Sequence, residues 1–596
     1  KNDIPQLFLA NSLCVLSNGI ETRLGSLTSE WEHFFHWLRP DDEKEKIKRE
    51  QIREDGTSAE RFLAGLCPKD KLLDYLENLG INTIELMPVN EFEGNESWGY
   101  NPSFHMALDK YYGRADDFKA LIDECHSRGI AVILDVVYNH AFSQSPLCQL
   151  YWDNANFQPS SSNPWLNPTP RHPFNVGYDF NHESPATRAF IDRVMEHWIE
   201  EFKVDGFRFD LSKGFTQTNN PTNVGAWGNY DASRVAILKH YADVCWAADP
   251  DFYVVLEHFA DNSEEKELAN YGMMSWGNLN HDYTEAAMGY ASSFNWISYK
   301  ARGWNDPHVI GYMESHDEER MIYKNLNFGQ SNGSYDITYL GTALDRAEQA
   351  AAFFFTIPGP KLMWQFGELG YDFSIDYNGR VGNKPIKWNY LTEGHRKDLY
   401  DAYTALIHLK TDNPAFNTTD FSLAVGGTGK RIKLNHSSMD VCIIGNFDVV
   451  QQSVFPAFQN SGNWYNYING DTLNVTDPNA AIVLAPGEYR IYTSVPVNNS
   501  YYTNTRELNN SESFLLNIYP NPTTTFATIA YHLKENATVQ VELLDLMGKK
   551  VLNLASEQQT AGDQYINLNT NNLPKGTYLV RLIANGQVST QRVVVL

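Results

Sequence analysis

Four short stretches of this sequence run through apolar residues into a cluster of acids, histidines or arginine. In Val204-Asp205-Gly206-Phe207-Arg208-Phe209-Asp210 the arginine precedes a carboxylate by two residues, so in a strand both side chains share one face. An arginine that close is expected to lower the pKa of Asp210 and keep it ionised, as a nucleophile attacking an electron-poor carbon must be. The alternative is a structural Arg-Asp pair capping a strand. Upstream, Ala131 to Asp135 opens into Asn139 and His140; downstream, Phe252 to Leu256 ends on Glu257, and His308 to Met313 leads to His316 and Asp317.

Apolar strands that deliver such residues from their C-terminal ends point to a parallel (β/α)8 barrel, an α/β fold. Leu72 to Leu79 is apolar at helical spacing and closed by Gly80. Asn82 to Pro88 reads as strand two, Trp98-Gly99-Tyr100-Asn101-Pro102 as its loop, and Ala115 to Arg128 as a helix leading into strand three at Ala131. The stretch after His140 is long for a simple loop, which suggests a functional insertion. Helix Pro185 to Phe202 then returns to strand four; strand six lies near Met273 to Leu279 and strand eight at Lys361 to Phe366. Seven strands are identifiable, so strand one must come from before residue 72, with Leu13 to Leu16 as the candidate, or be missing. Short alternating strands with Gly and Asn turns then suggest two small antiparallel β-sandwiches, separated by a polar linker.

Together and in this order, the four stretches resemble the signature regions of the α-amylase superfamily of glycoside hydrolases. The resemblance implies Asp210 as nucleophile, Glu257 as an acid/base whose pKa is raised, and Asp317 as a third acid gripping sugar hydroxyls. A retaining reaction needs the first two about 5–5.5 Å apart. It also implies that His140 and His316 bind hydroxyls, that Arg208 orients Asp210, that Tyr100 stacks under the sugar, and that Lys213 touches the acceptor. The family's usual histidine after that lysine is Gly214 here, which leaves the acceptor side open. Asp135 reads as a hydrogen-bond hub within the substrate site. Asn139 and Asp179 match positions where relatives place calcium ligands, and hard oxygen donors suit that ion; the alternative is that both only form turns.

The domains expected are a segment 1–75, a barrel 76–412 with a small domain B at about 141–178, a β-sandwich 413–496, a linker 497–513 and a final sandwich 514–596. Residues 1–75 resemble a fragment of a type I restriction enzyme motor subunit, with a seam near Leu73 to Asn78; lacking a Gly-rich phosphate loop, the segment is assigned no activity. The last sandwich resembles the C-terminal sorting domain of type IX secretion, with a carbohydrate-binding module as the alternative. That implies a secreted or cell-surface protein handled by the secretion machinery, although no signal peptide is visible at Lys1.

A net charge of −26 argues against nucleic acid or an anionic membrane as partner, and no apolar run is long enough to span a bilayer. The six cysteines show no CxxC spacing and suggest neither zinc nor a disulfide scaffold; no organic cofactor is expected. The expected partner is an α-glucan polysaccharide or oligosaccharide. The expected activity is hydrolysis of α-1,4-linked glucans by double displacement. Transfer to a glucan 6-hydroxyl (branching) is the alternative, suggested by Ser315-His316-Asp317-Glu318, and an inert glucan-binding or chimeric chain is a third reading.

Overall fold

The computed structural model describes residues 69–94, 97–499 and most of 516–595, with four short strands before residue 37. The chain divides into two units, Lys1–Thr503 and Asn504–Leu596.

The first unit is built on a parallel sheet whose strands follow one another in sequence order: β1 (Thr83–Leu86), β2 (Ala131–Val136), β3 (Gly206–Phe209), β4 (Tyr253–Leu256), β5 (Met274–Asn278), β6 (Val309–Tyr312) and β7 (Lys361–Leu362). These are strands two to eight of the expected barrel, although the last stops at Leu362 rather than running to Phe366. Among the described residues nothing pairs with the outer edge of β1 or of β7. The expected substitute, Leu13–Ser17, is a strand, but it pairs antiparallel with Gln6–Leu9 and Thr22–Gly25 in a separate sheet. Short connections allow such hairpin pairing, whereas a parallel neighbour requires a crossover.

Eight helices alternate with these strands: α1 (Lys69–Leu79), α2 (Ala115–Ser127), α3 (Pro185–Phe202), α4 (Ala232–Ala248), α5 (Asn262–Tyr271), α6 (Asn280–Ala287), α7 (Leu340–Phe355) and α8 (Gly394–Asp412). Their ends follow local chemistry. Ser184 accepts from Ala186 N before Pro185 opens α3, and Asp231 accepts from Ser233 N and Arg234 N at the start of α4. Helix α1 runs through the seam expected near residue 75, and its Tyr75 ring packs 5.1 Å from Tyr400 on α8.

Period-two alternation sorts the strand residues. Val132, Leu134 and Val136 of β2, Phe207 and Phe209 of β3, and Val254 and Leu256 of β4 face outward into one core with Ile191, Val194, Trp198 and Phe202 of α3. Each such side chain, fully buried, contributes about 1.5–3 kcal/mol. The inward face holds a smaller apolar layer, Ile133, Val255, Trp276, Ile310 and Tyr312. Further along the strands the inward positions become Asp135, Arg208, Asp210 and Glu257, so the polar site sits above this layer, which Glu85 of β1 interrupts level with Ile133.

The insertion carries its own cluster, Ala141, Cys148, Leu166 and Phe180, and is tied to the barrel where Tyr178–Asp179 pairs with His140–Ala141. After α8 a six-stranded antiparallel sheet and a two-stranded one enclose Cys442, Ile444, Trp464 and Leu484. Most of the expected linker lies outside the described residues. The second unit is a three-stranded and a four-stranded antiparallel sheet around Ile529, Val539, Val541, Val580 and Leu582. Among the described residues, Cys125, Cys148, Cys245 and Cys442 are buried free thiols, and no helix is long and apolar enough to cross a membrane.

Candidate active site

Register places the charges. Arg208 on β3 is the direct lateral partner of Asp135 on β2, and the segments after β3 and β4 project Asp210 and Glu257 from the same end. The Arg208 guanidinium is fully buried and holds all three acids. Its Nη1 donates to Asp135 Oδ1 and Oδ2 at 2.8 and 2.7 Å and to Asp210 Oδ1 at 3.1 Å. Its Nη2 lies 3.0 Å from Glu257 Oε2, an ion pair without hydrogen-bond alignment. The indole of Trp276 packs 4.0 Å from the guanidinium carbon.

The acid pair departs from the expectation that Arg208 alone would set it. Burial pushes Asp210 well above the usual carboxylate range, Glu257 adds to this, and the opposing pull of Arg208 does not cancel them. Asp135 is likewise pushed up, to about 6, by burial against the pull of Arg208. Burial therefore favours the protonated form of Asp210, the opposite of the ionised nucleophile that a nearby arginine led us to expect. The Leu211 N–H donates to Glu257 Oε2 at 2.8 Å.

The remaining expected residues converge on this centre. Tyr100 donates its hydroxyl to Asp135 Oδ2 at 2.6 Å, and its ring stacks on His316 at 5.0 Å. His140 donates Nε2–H to the Tyr100 carbonyl at 2.8 Å, and burial holds its pKa down to about 4. His316 is held down to about 3 by burial and Arg208, so both imidazoles are neutral at ordinary pH. Asp317 lies beside His316, its Oδ2 3.3 Å from Nε2, and with 44% of its side chain exposed it is more accessible than Asp210 or Glu257. Lys213 donates to Phe259 O at 2.8 Å with its ammonium 4.2 Å from the Trp227 ring. Gly214 has a steric reason for lacking a side chain: a Cβ there would lie 1.9 Å from Asn139 Oδ1 and 2.7 Å from His172 Nε2.

Asn139 and Asp179 do come together, with a partner the sequence did not single out. Asn139 Oδ1, Asp179 Oδ1 and His172 Nε2 are all buried without a hydrogen-bond partner. His172 Nδ1 lies 2.7 Å from the Pro173 carbonyl, so Nδ1 carries the proton and the Nε2 lone pair faces Asp179 Oδ1 at 3.4 Å. Among the described residues no three His, Cys, Asp or Glu side chains converge as a metal site, and the third donor here is the amide oxygen of Asn139. Three lone-pair donors facing one another without a hydrogen fit a cation.

Two further residues escaped sequence reasoning. Trp276 has no signal beyond being aromatic. Glu85 did have one, as the acid in the middle of Thr83-Ile84-Glu85-Leu86. It points inward, and burial raises it to about 8 against the pull of Arg208.

Residues 63–176 match the family described as alpha amylase, catalytic domain, and residues 517–596 match the secretion system C-terminal sorting domain. The first match reaches back across the seam expected near residue 75. Among curated proteins, a malto-oligosyltrehalose trehalohydrolase of Saccharolobus solfataricus is 35% identical over 312 residues, covering 51% of this chain and 50% of its own. A 1,4-alpha-glucan branching enzyme of Aliivibrio fischeri is 30% identical over 197 residues, 32% of this chain and 26% of the relative. A maltogenic alpha-amylase of Bacillus acidopullulyticus is 25% identical over 363 residues, 57% and 55%. The chain thus spans only about a quarter to a half of the length of these relatives. In fold it is similar to an Anoxybacillus alpha-amylase, with a TM-score of 0.57 at 21% identity over 73% of this chain and 91% of the other. It is also similar to the Geobacillus thermoleovorans alpha-amylase solved with acarbose, with a TM-score of 0.56 at 18% identity over 72% and 91%. Part of an alpha amylase catalytic domain is thus matched at residues 63–176, on a parallel sheet whose fold is similar to that of alpha-amylase barrels, and residues 517–596 match a secretion-system sorting domain.

Proposed function

We propose that the barrel is a retaining glycoside hydrolase that cleaves α-1,4-linked glucans by double displacement. The observation that carries this reading is the single buried guanidinium of Arg208 joining Asp210 and Glu257 at the C-terminal mouth of a parallel sheet. An Asp210 oxygen bonds to the anomeric carbon while the glycosidic bond breaks, and the departing oxygen takes a proton from Glu257. Water then attacks the same carbon, gives its proton to Glu257 and restores the Asp210 carboxylate. The reading requires Asp210 ionised and Glu257 protonated when the glucan is bound, although burial alone favours a proton on Asp210. Asp317, His140 and His316 bind hydroxyls of the ring, Tyr100 stacks beneath it, and Lys213 faces the acceptor. The glucan class is supported by the names of the branching and maltogenic relatives.

The sorting domain favours a secreted or surface location and contact with the secretion machinery, and hence water rather than a growing intracellular glucan as acceptor. The oxygens of Asn139 and Asp179 suit calcium, whereas the His172 Nε2 beside them is a nitrogen donor that this ion does not favour. A cation there would tie the insertion to the barrel and leave the displacement steps to the acids. The test is reducing-sugar release from starch by the parent and by Asp210→Asn. Parent activity with a loss of more than about a thousandfold in the variant is expected, and residual activity within tenfold would refute the assignment. Iodine-absorbance change without new reducing ends would show branching instead.

A further inference from the structure

Immediately beyond the two proposed catalytic acids, the segment after β3 grips the segment after β4 at four successive points. Leu211 N–H donates to Glu257 Oε2 at 2.8 Å, Ser212 N–H to Glu257 O at 3.1 Å, Ser212 Oγ lies 2.9 Å from that same carbonyl, and Lys213 Nζ donates to Phe259 O at 2.8 Å. Both segments hold a non-glycine residue in left-handed backbone, Leu211 at φ 45° and Phe259 at φ 48°, a conformation that persists only where surrounding contacts impose it.

Behind this clasp lies a buried polar chain that the displacement chemistry does not use. His258 follows Glu257 directly, and its ring is anchored at both nitrogens, Nδ1 2.9 Å from Ser212 Oγ and Nε2 2.7 Å from Glu264 Oε1. Glu264 also accepts from Arg234 Nε at 2.6 Å and Nη2 at 2.8 Å and from Asp231 N at 2.8 Å, so the carboxylate is fixed from α4 and α5 alike. His258, Ser212, Glu264 and Arg234 are all essentially excluded from solvent. Glu264, as a carboxylate, only accepts; Nε2 therefore carries the imidazole proton and Nδ1 is an acceptor. The single hydroxyl proton of Ser212 can serve only one of two acceptors, Nδ1 or the Glu257 carbonyl; given to Nδ1 it ties Ser212 to His258, and the Glu257 carbonyl keeps the Ser212 N–H.

We infer that His258, braced by Glu264 and acting through Ser212, is a positioning residue for Glu257: it fixes the peptide of the acid and thereby aims its carboxyl at the leaving oxygen opposite Asp210. This deepens the glucan-hydrolase reading and rests on it. The catalytic groups remain Asp210 and Glu257, because the imidazole reaches no substrate. Misplacing a catalytic group by about 1 Å can cost about a hundredfold in rate, so the clasp matters to chemistry before it matters to folding.

The test compares two variants, Ser212→Ala and His258→Phe, on two substrates in the full chain. His258→Phe keeps the ring and removes both nitrogens, while Glu264 keeps Arg234. One substrate is a maltooligosaccharide, whose leaving oxygen must be protonated; the other is an α-maltosyl fluoride, whose fluoride leaves without an acid. The parameter kcat/KM reports the first displacement. Expected is a loss of about tenfold or more on the maltooligosaccharide, carried by kcat, and of less than about twofold on the fluoride, with the unfolding midpoint little changed. Equal losses on both substrates, or none on either, would overturn the inference. If His258→Phe does not fold, Ser212→Ala decides alone. A parent chain inactive on both substrates would overturn the hydrolase reading, and this inference with it.

Discussion

Glu85 offers the sharpest test of the charge balance inside the barrel. Burial, together with Asp135 and Glu257, lifts its pKa to about 8 although Arg208 pulls it down. An unfolded glutamate titrates near 4.3 (about 4.3 in model peptides), so the folded chain holds this proton more tightly. Its stabilising contribution is complete below the unfolded pKa and is lost as pH rises through the folded value of about 8. A shift of this size corresponds to a ceiling of about 5 kcal/mol at about 1.36 kcal/mol per unit. The residue keeps partial solvent contact, and about 2 kcal/mol is the more realistic figure after screening. Glu85→Gln removes the titration and keeps the shape. Relative to the parent, its unfolding midpoint should be about equal at pH 5 and higher at pH 9, by about 2 °C for a unit of this size. The assay is thermal unfolding followed by circular dichroism across that range. Parallel pH profiles for parent and variant would refute the argument.

Other outcomes follow from the same geometry. Arg208→Lys places one ammonium where a planar fork now reaches three carboxylates; kcat should fall by about 10²–10³, and a loss below tenfold would count against Arg208 as the organiser. Gly214→Ala drives a Cβ into Asn139 Oδ1; it should lower stability by about 1–3 kcal/mol, read as a lower denaturant midpoint, and an unchanged midpoint would mean the insertion yields freely. Because burial keeps His316 neutral down to about pH 3, His316→Asn should reduce activity by one factor across pH 5–9; a changed shape of the kcat/KM profile would show that the imidazole titrates in function.

Much of the barrel was legible because period-two alternation and the acids at strand ends are local signals. Val132, Leu134 and Val136 declare one face of β2 and Asp135 the other, and the register that sets Arg208 beside Asp135 follows once both strands are parallel neighbours. Other features depended on contacts no local pattern encodes. The direction in which Asp210 shifts is decided by burial and by Glu257, 47 positions later in the chain. His172 joins Asn139 and Asp179 only after the insertion folds back, and its sequence neighbours, Arg171 and Pro173, give no sign of a ligand. Of the two expectations for strand one, a substitute at Leu13–Leu16 or none, the first is not seen among the described residues, for a related reason. The apolar content of Leu13–Ser17 marks it correctly as a strand, but composition does not choose between a hairpin and a barrel edge.

Strain shows where the fold serves the chemistry. Three non-glycine residues shortly beyond the C-terminal ends of barrel strands adopt left-handed backbone: Leu211 after β3, Phe259 after β4 and Phe366 after β7. Each costs about 1–2 kcal/mol relative to an unstrained turn, a disadvantage that substitution by glycine would largely remove. All three are pinned by specific contacts: Leu211 through its N–H on Glu257, Phe259 through Lys213 on its carbonyl, and Phe366 through the N–H groups of Leu369 and Tyr371. The first of these pins also holds the Glu257 carboxylate. A relaxed backbone at Leu211 would turn its N–H away from Glu257 Oε2, and a relaxed Phe259 would free the carbonyl that Lys213 holds. The strand ends are therefore where stability is given up so that two carboxylates and one guanidinium share a fixed geometry.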